Sequence, residues 1–326
     1  MENVTITINT DTLLEEHKKE KDILIEPMEK ESIEEPKGEL IDKSKEEQKE
    51  TKSIHFDTLV LSGGSTNIIM TLGALQHLYD ESLHCEITTY VGTSSGAIIG
   101  YLIAIGYTPL EIMLDICTKR MMDKLQFFDM CGMVNGVGAC SFSIIQEQLE
   151  KMTISKIGTL LTLKDLYDKH NRVLICTTYN MTKGKCEYLS HETYPNLPCL
   201  TALRMSSNLP LVFEPYKYEQ SFYIDGAICD NFPIDVGDKV GKKVLGILLS
   251  SPSQSMEPTM PIVEYVYKLI FIPINDNTRR RLENISDKCK VVRLITKDTN
   301  FFKFNLTTPT MLNMFSFGYR QFKDDL

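Results

Sequence analysis

From residue 56 onward, apolar positions along the chain fall into two rhythms. Phe56 to Leu61, Ile87 to Val91, Arg172 to Thr178, Val244 to Leu249 and Val291 to Ile295 are short runs rich in β-branched and apolar residues, the pattern of buried strands. Lys185 to Ser190 and the run ending at Asp225 add two strand candidates. Between them apolar residues recur every three or four positions. Ile69, Leu72, Leu75 and Leu78 predict a helix over 69–80, and further helices are predicted from Ala97, from Pro109, and near 142–150, 163–170 and 201–207. Gly106 reads as the cap of the helix from Ala97. In the helix from Pro109, the residues Leu110, Met113, Leu114 and Cys117 mark one apolar face. Strands alternating with helices over about 270 residues predict an α/β/α layered domain over 55–326.

Residues 15–53 keep neither rhythm. Glu and Lys dominate, Pro27 and Pro36 interrupt, and groups such as Ile23-Leu24-Ile25 are too isolated to offset the entropy of ordering the segment. Residues 1–54 hold sixteen acidic and nine basic residues, so most of the chain's net charge of -9 sits there. A disordered acidic tail over 1–54 is the expectation, with a short docking helix through Leu13, Leu14 and Ile23 to Ile25 as the alternative. The rest holds 28 acidic and 26 basic residues, and a net charge of -9 argues against a nucleic acid, which needs clustered Lys and Arg, so no nucleic-acid partner is expected. No apolar run reaches eighteen residues and the N-terminus is too polar for a signal peptide. Nine cysteines without a C-x-x-C pair read as free thiols in a reducing compartment. The expected location is therefore cytoplasmic.

The chemistry is concentrated in three places. Gly92-Thr93-Ser94-Ser95-Gly96 is a G-x-S-x-G between a strand and a helix. A tight reversal there needs Gly92 and Gly96, because side chains would collide with the crossing backbone. It lifts the Ser94 hydroxyl above the sheet edge, beside the free N–H groups that open the helix. Upstream, Ser62-Gly63-Gly64-Ser65 also joins a strand to a helix, a layout that binds anions through unpaired amides. A nucleotide site fits poorly, since G-x-G-x-x-G and a Walker lysine are both absent, so no nucleotide is expected. An oxyanion loop beside Ser94 fits better. Downstream, Asp225 closes an apolar run and is followed at once by Gly226, either as a turn cap or as the partner of Ser94. All six histidines precede Asp225, so the usual Ser, Asp, His chain order is excluded. A Ser-Asp dyad is not, provided that burial raises the basicity of the carboxylate. No metal-ligand spacing appears, and neither a metal nor another cofactor is expected.

At this point the chain resembles the patatin-like phospholipase family, over roughly residues 56–250. Gly92 to Gly96 is similar to the family's elbow, Asp225-Gly226-Ala227 with Asn231 and Pro233 to its Asp-Gly block, and Leu200 to Pro215 to the segment before that block. The resemblance implies a three-layer domain with a mainly parallel sheet, Ser94 as nucleophile, Asp225 as base, and lipid acyl ester hydrolysis through an acyl-enzyme. It also implies an oxyanion hole from the amides of Gly63, Gly64 and Ser95. The chain departs from the family at this loop. Ser65 stands for the third glycine, Asn67 for a basic residue and Ile68 for the last glycine. A catalytically weak or inactive lipid-binding protein on the same scaffold is the alternative.

Substrate access points to a lipid surface. Met260 to Ile274 is apolar and aromatic, and Arg279-Arg280-Arg281 follows, a composition suited to peripheral lipid contact or to a buried helix with a solvated charge cluster. Phe301 to Phe322 carries six phenylalanines, either packed on the fold or forming a second contact. Ile98, Ile99, Leu102, Phe127, Phe128, Met130, Met133, Leu209, Val212 and Phe213 are candidates for an acyl groove.

Overall fold

A computed structural model describes residues 55–119, 138–251, 262–296 and 306–326. In chain order the elements are β1 (Thr58–Leu61), a 3-10 turn (Ser65–Asn67), α1 (Ile68–Asp80), β2 (Thr89–Thr93), α2 (Ser95–Ala104), α3 (Pro109–Thr118), α4 (Ser143–Ile157) and α5 (Leu163–His170). Then come β3 (Val173–Asn180), β4 (Lys185–Leu189), α6 (Cys199–Ser206), β5 (Tyr216–Tyr218), β6 (Ser221–Asp225), α7 (Ala227–Asp230) and α8 (Ile234–Val240). The chain closes with β7 (Val244–Ser250), α9 (Ile262–Leu282), β8 (Cys289–Ile295) and α10 (Thr308–Asp325). The expected tail over 1–54 and the stretch Phe127 to Met133 lie outside the described residues, as do Phe301, Phe302 and Phe304.

β3, β2, β1, β7 and β8 lie side by side in that order and run parallel, while β4, β5 and β6 join antiparallel beyond β3. Successive strand residues point to opposite faces, and the two faces bury separate apolar layers. Leu59, Leu61, Tyr90, Leu174, Cys176, Leu245 and Ile247 meet the larger layer beneath α1, α2 and α6. Val60, Val91, Ile175, Val244 and Leu248 meet Phe232 and Ile234 on the other side. The parallel strands are therefore apolar on both faces, and the α/β/α expectation holds.

Local signals set the helix limits. Thr108 with Glu111 starts α3, and Thr162 with Asp165 starts α5, each as a reciprocal capping box worth about 1 kcal/mol. Gly158 ends α4 at φ 78. α10 packs on α1 where Gly73 faces the Phe315 carbonyl and Gly318 faces the Met70 carbonyl, so that a Cβ on either glycine would overlap the opposite backbone. Of the six phenylalanines near the C-terminus, Phe322 is fully buried there, against His77. One expectation is corrected. α3 buries Ile112, Met113 and Ile116, whereas Leu110 and Leu114 are 49% and 50% exposed. Both stripes satisfy helical spacing on this short, largely apolar helix, and packing rather than periodicity selects between them.

Candidate active site

β2 and β6 reach β3 from opposite directions, and the strand register brings their ends together. Thr93 lies opposite Thr177, and Asp225 lies opposite Thr178. The residue after Thr93 therefore meets the carboxylate of Asp225. Ser94 Oγ donates a hydrogen bond to Asp225 Oδ2 at 2.7 Å. Ser94 itself has φ 56 and ψ -128, a conformation costing a non-glycine residue roughly 1–3 kcal/mol. The surroundings hold it: the Ser94 amide donates to Ser206 Oγ at 3.0 Å, and the Ser94 carbonyl accepts from the Ile98 amide at 3.2 Å.

The motif glycines supply space rather than positive φ. A Cβ on Gly92 would stand 2.7 Å from the Ala97 nitrogen, one on Gly96 would meet the carbonyls of Leu61 and Ser62, and one on Gly226 would overlap the Thr177 carbonyl. The strained backbone belongs to the serine between the glycines.

Asp225 is 1% exposed. Its Oδ1 accepts from the Ala227 amide at 2.8 Å, and its own amide donates to the Asn208 carbonyl at 2.9 Å. Burial pushes its pKa up to about 6, against the opposing pull of the hydrogen bonds from Ser94 and Ala227. At neutral pH the group is ionised and more basic than an ordinary carboxylate, which suits it to take a hydroxyl proton. Among the described residues no histidine bonds to either partner. His77 packs against Tyr319 and Phe322, His84 stacks on Tyr79, and His191 stacks on Tyr167.

The glycine loop after β1 reaches the site differently from the expectation. The Gly63 amide donates to the Asn231 carbonyl at 3.1 Å, so Gly63 is corrected: in this arrangement its N–H is not a free oxyanion donor. The Gly64 amide donates to Ser95 Oγ at 3.2 Å, a hydroxyl that can rotate away. Ser95 and Gly96 open α2, where the first amides have no carbonyl one turn behind them. Gly64 and Ser95 thus keep donors beside Ser94. Asn67 is buried, and its amide closes the turn onto the Gly64 carbonyl at 3.0 Å.

Several supports escaped sequence reasoning. Thr93 Oγ1 donates to the Asp230 carbonyl at 2.8 Å, and the Asp230 carboxylate accepts from Tyr188 at 2.8 Å and pairs with Arg281 at 3.0 Å. Asn277 Nδ2 donates to the Cys229 carbonyl at 3.1 Å. The C-terminal half of α9 thereby braces the loop that carries Asp225. Within the conspicuous stretch 200–215, only the fold could single out Ser206 and Asn208. Of the groove candidates, Ile99, Leu102, Val212 and Phe213 are core residues, whereas Ile98 and Leu209 keep partial exposure.

The family model for patatin-like phospholipases matches residues 59–238. The chain is 37% identical over 198 residues to the probable lipid hydrolase 463L of Invertebrate iridescent virus 6, covering 59% of this chain and 67% of that protein. It is 25% identical over 289 residues to the uncharacterized protein R571 of Acanthamoeba polyphaga mimivirus, covering 85% and 96% respectively. VipD from Legionella pneumophila, a solved structure, aligns with a TM-score of 0.49 at 17% identity, over 82% of this chain. The match covers 66% of VipD, so this chain spans just under two thirds of that protein.

Proposed function

The chain belongs to the patatin-like phospholipase family, and on that premise we propose that it cleaves fatty-acyl esters of glycerophospholipids or related lipids through a Ser94-Asp225 dyad. As a member it is a lipid hydrolase. The observation that supports the dyad is the 2.7 Å hydrogen bond between a serine at positive φ and a buried carboxylate. Asp225 takes the Ser94 proton as Oγ attacks the ester carbonyl, and the tetrahedral oxyanion is received by the amides of Gly64 and Ser95. The proton passes to the departing alkoxide. Water, activated in turn by Asp225, then frees the fatty acid from the acyl-serine. The exposed Tyr265, Leu269 and Ile272 on α9, spaced as one helical stripe, support contact with a lipid surface and a peripheral location there.

A fluorophosphonate probe tests the nucleophile, because it labels only an activated serine. The expected result is labelling of the wild type at Ser94 and none of Ser94→Ala. A folded wild type that fails to label beside a labelled family control returns the chain to the binding-only alternative.

A further inference from the structure

Eight free cysteines lie among the described residues, and two of them touch. The Sγ atoms of Cys186 and Cys229 are 2.7 Å apart, with the Cys229 thiol donating to Cys186. Their places in the fold make the contact consequential. Cys186 sits on β4 opposite Tyr179 of β3, within the sheet. Cys229 sits on α7, four residues after Asp225, and also donates to the Gly226 carbonyl at 3.3 Å. The two sulfurs therefore join the sheet to the turn that carries the proposed base. Both are half-buried, within reach of a small oxidant. Cys176 and Cys199, by contrast, are fully buried, and burial pushes both thiols up into the unreactive, protonated form.

We propose that Cys186 and Cys229 form a reversible thiol–disulfide site that slows the hydrolase when a peroxide closes it and releases it when a thiol reopens it. The regulatory half rests on the Ser94-Asp225 reading; the bond itself does not.

The surroundings divide the labour. The hydrogen bond from Cys229 holds the Cys186 thiol below the usual cysteine range, against burial and the Asp230 carboxylate, while Cys229 is held above it, first by that same bond and then by burial. Cys186, which accepts the Cys229 thiol proton in this contact, is the attacking sulfur. Its thiolate breaks the O–O bond of hydrogen peroxide, becoming a sulfenic acid and releasing hydroxide, which takes up the proton that the thiol had lost. Cys229 sulfur then attacks the sulfenic sulfur, the S–S bond forms, and the leaving hydroxide takes the Cys229 proton as a second water. Two thiols lose two electrons and the peroxide gains them.

A covalent S–S bond of ~2.05 Å draws the sulfurs closer than they stand. β4 is fixed by its pairing with β3, whereas α7 is only four residues long. The pull is applied to the Cys229 end of α7, against the bracing bonds of Asn277 and Thr93, and reaches Asp225 through the Gly226 and Ala227 amides. Misplacing a reacting group by about 1 Å can cost on the order of a hundredfold in rate.

The experiment uses the full chain, reduced or treated with hydrogen peroxide, with alkylation of the remaining thiols, peptide mass mapping, and kinetics on a short-chain nitrophenyl ester. The expected result is a linked Cys186–Cys229 peptide and a kcat lowered at least fivefold with little change in KM, both restored by dithiothreitol. Cys186→Ser should keep the reduced rate and ignore the oxidant; Cys229→Ser should ignore it as well. Absence of the linked peptide while other cysteines oxidise overturns the site. Linkage without a fall in kcat, or equal inhibition of Cys186→Ser, overturns the regulation. Fluorophosphonate labelling of the reduced protein is read in parallel, so that failure of the dyad is seen separately from failure of the thiol pair.

Discussion

Two glycine turns leave the same edge of the sheet, one after β1 and one after β2, and each leads into a helix. After β2, the glycines clear space and the serine between them carries the positive φ. After β1, the positive φ falls on Ser65, at φ 50, where the family pattern has a glycine, and the Gly63 amide is already taken by Asn231. A strand-turn-helix layout thus supplies amides at a common edge, but the partners brought by distant segments decide which amides stay available. The β2 turn keeps its amides beside the serine, with Ser206 and the β1 carbonyls holding it from outside. The β1 turn is specified jointly with the loop after Asp225.

The largest effect that tests this contrast lies on the β2 side. Asp225→Asn should lower kcat on a nitrophenyl ester by about a thousandfold or more while the circular dichroism spectrum is kept. In the wild type, kcat/KM should climb with pH through a midpoint at about 6, because Asp225 must be ionised to act as base. A midpoint at the ordinary aspartate value, about 4, would remove the case for a desolvated base. Stability carries the opposite sign. A folded-state pKa above the unfolded value means that the native protein holds this proton more tightly, so stability falls as pH rises toward and through about 6. Asp225→Asn escapes that loss, and its melting temperature should exceed the wild type's at pH 8, with the gap closing toward pH 4.

The β1 turn should respond less. A Cβ on Gly64 would overlap the tip of Leu249. Displacing either group moves the Gly64 amide, and Gly64→Ala should lower kcat about tenfold with a smaller change in KM, since the oxyanion exists chiefly in the transition state. Full activity in this variant would strike Gly64 from the oxyanion hole. The smallest effect is expected at Ser65. Ser65→Gly relieves a left-handed residue by about 1 kcal/mol, which should raise the melting temperature by about 2–4 °C and leave kcat within twofold. A lower melting temperature would mean that the Ser65 side chain stabilises the loop more than its backbone strains it.

The same contrast explains how far the sequence could be read. Strand alternation and helix spacing disclosed the layers, because a parallel strand covered on both faces must be apolar throughout. The elbow was legible because its two glycines and the serine between them stand in one contiguous motif, and Asp225 because no histidine follows it. The partner of Gly63 was not legible, for Asn231 is 168 residues away, and both its carbonyl and its side-chain amide reach Gly63 only once the fold is formed. Ser206, 112 residues from Ser94, is one of two adjacent serines that look alike in sequence. The buried face of α3 was misjudged for a related reason: two apolar stripes competed, and the choice lies in what packs against them.

Because β2 and β6 meet head-on along β3, the Ser94-Asp225 contact can form only once β6 has been made. A nascent polypeptide that has reached β3 already contains Gly92 to Gly96, but the carboxylate arrives 131 residues after the serine. On the dyad reading, a chain without β6 is silent. The exposed turn from Met181 to Gly184, between β3 and β4, divides the chain at the same boundary. Severed there, each fragment would carry one half of a two-key lock, and hydrolysis would report their reunion.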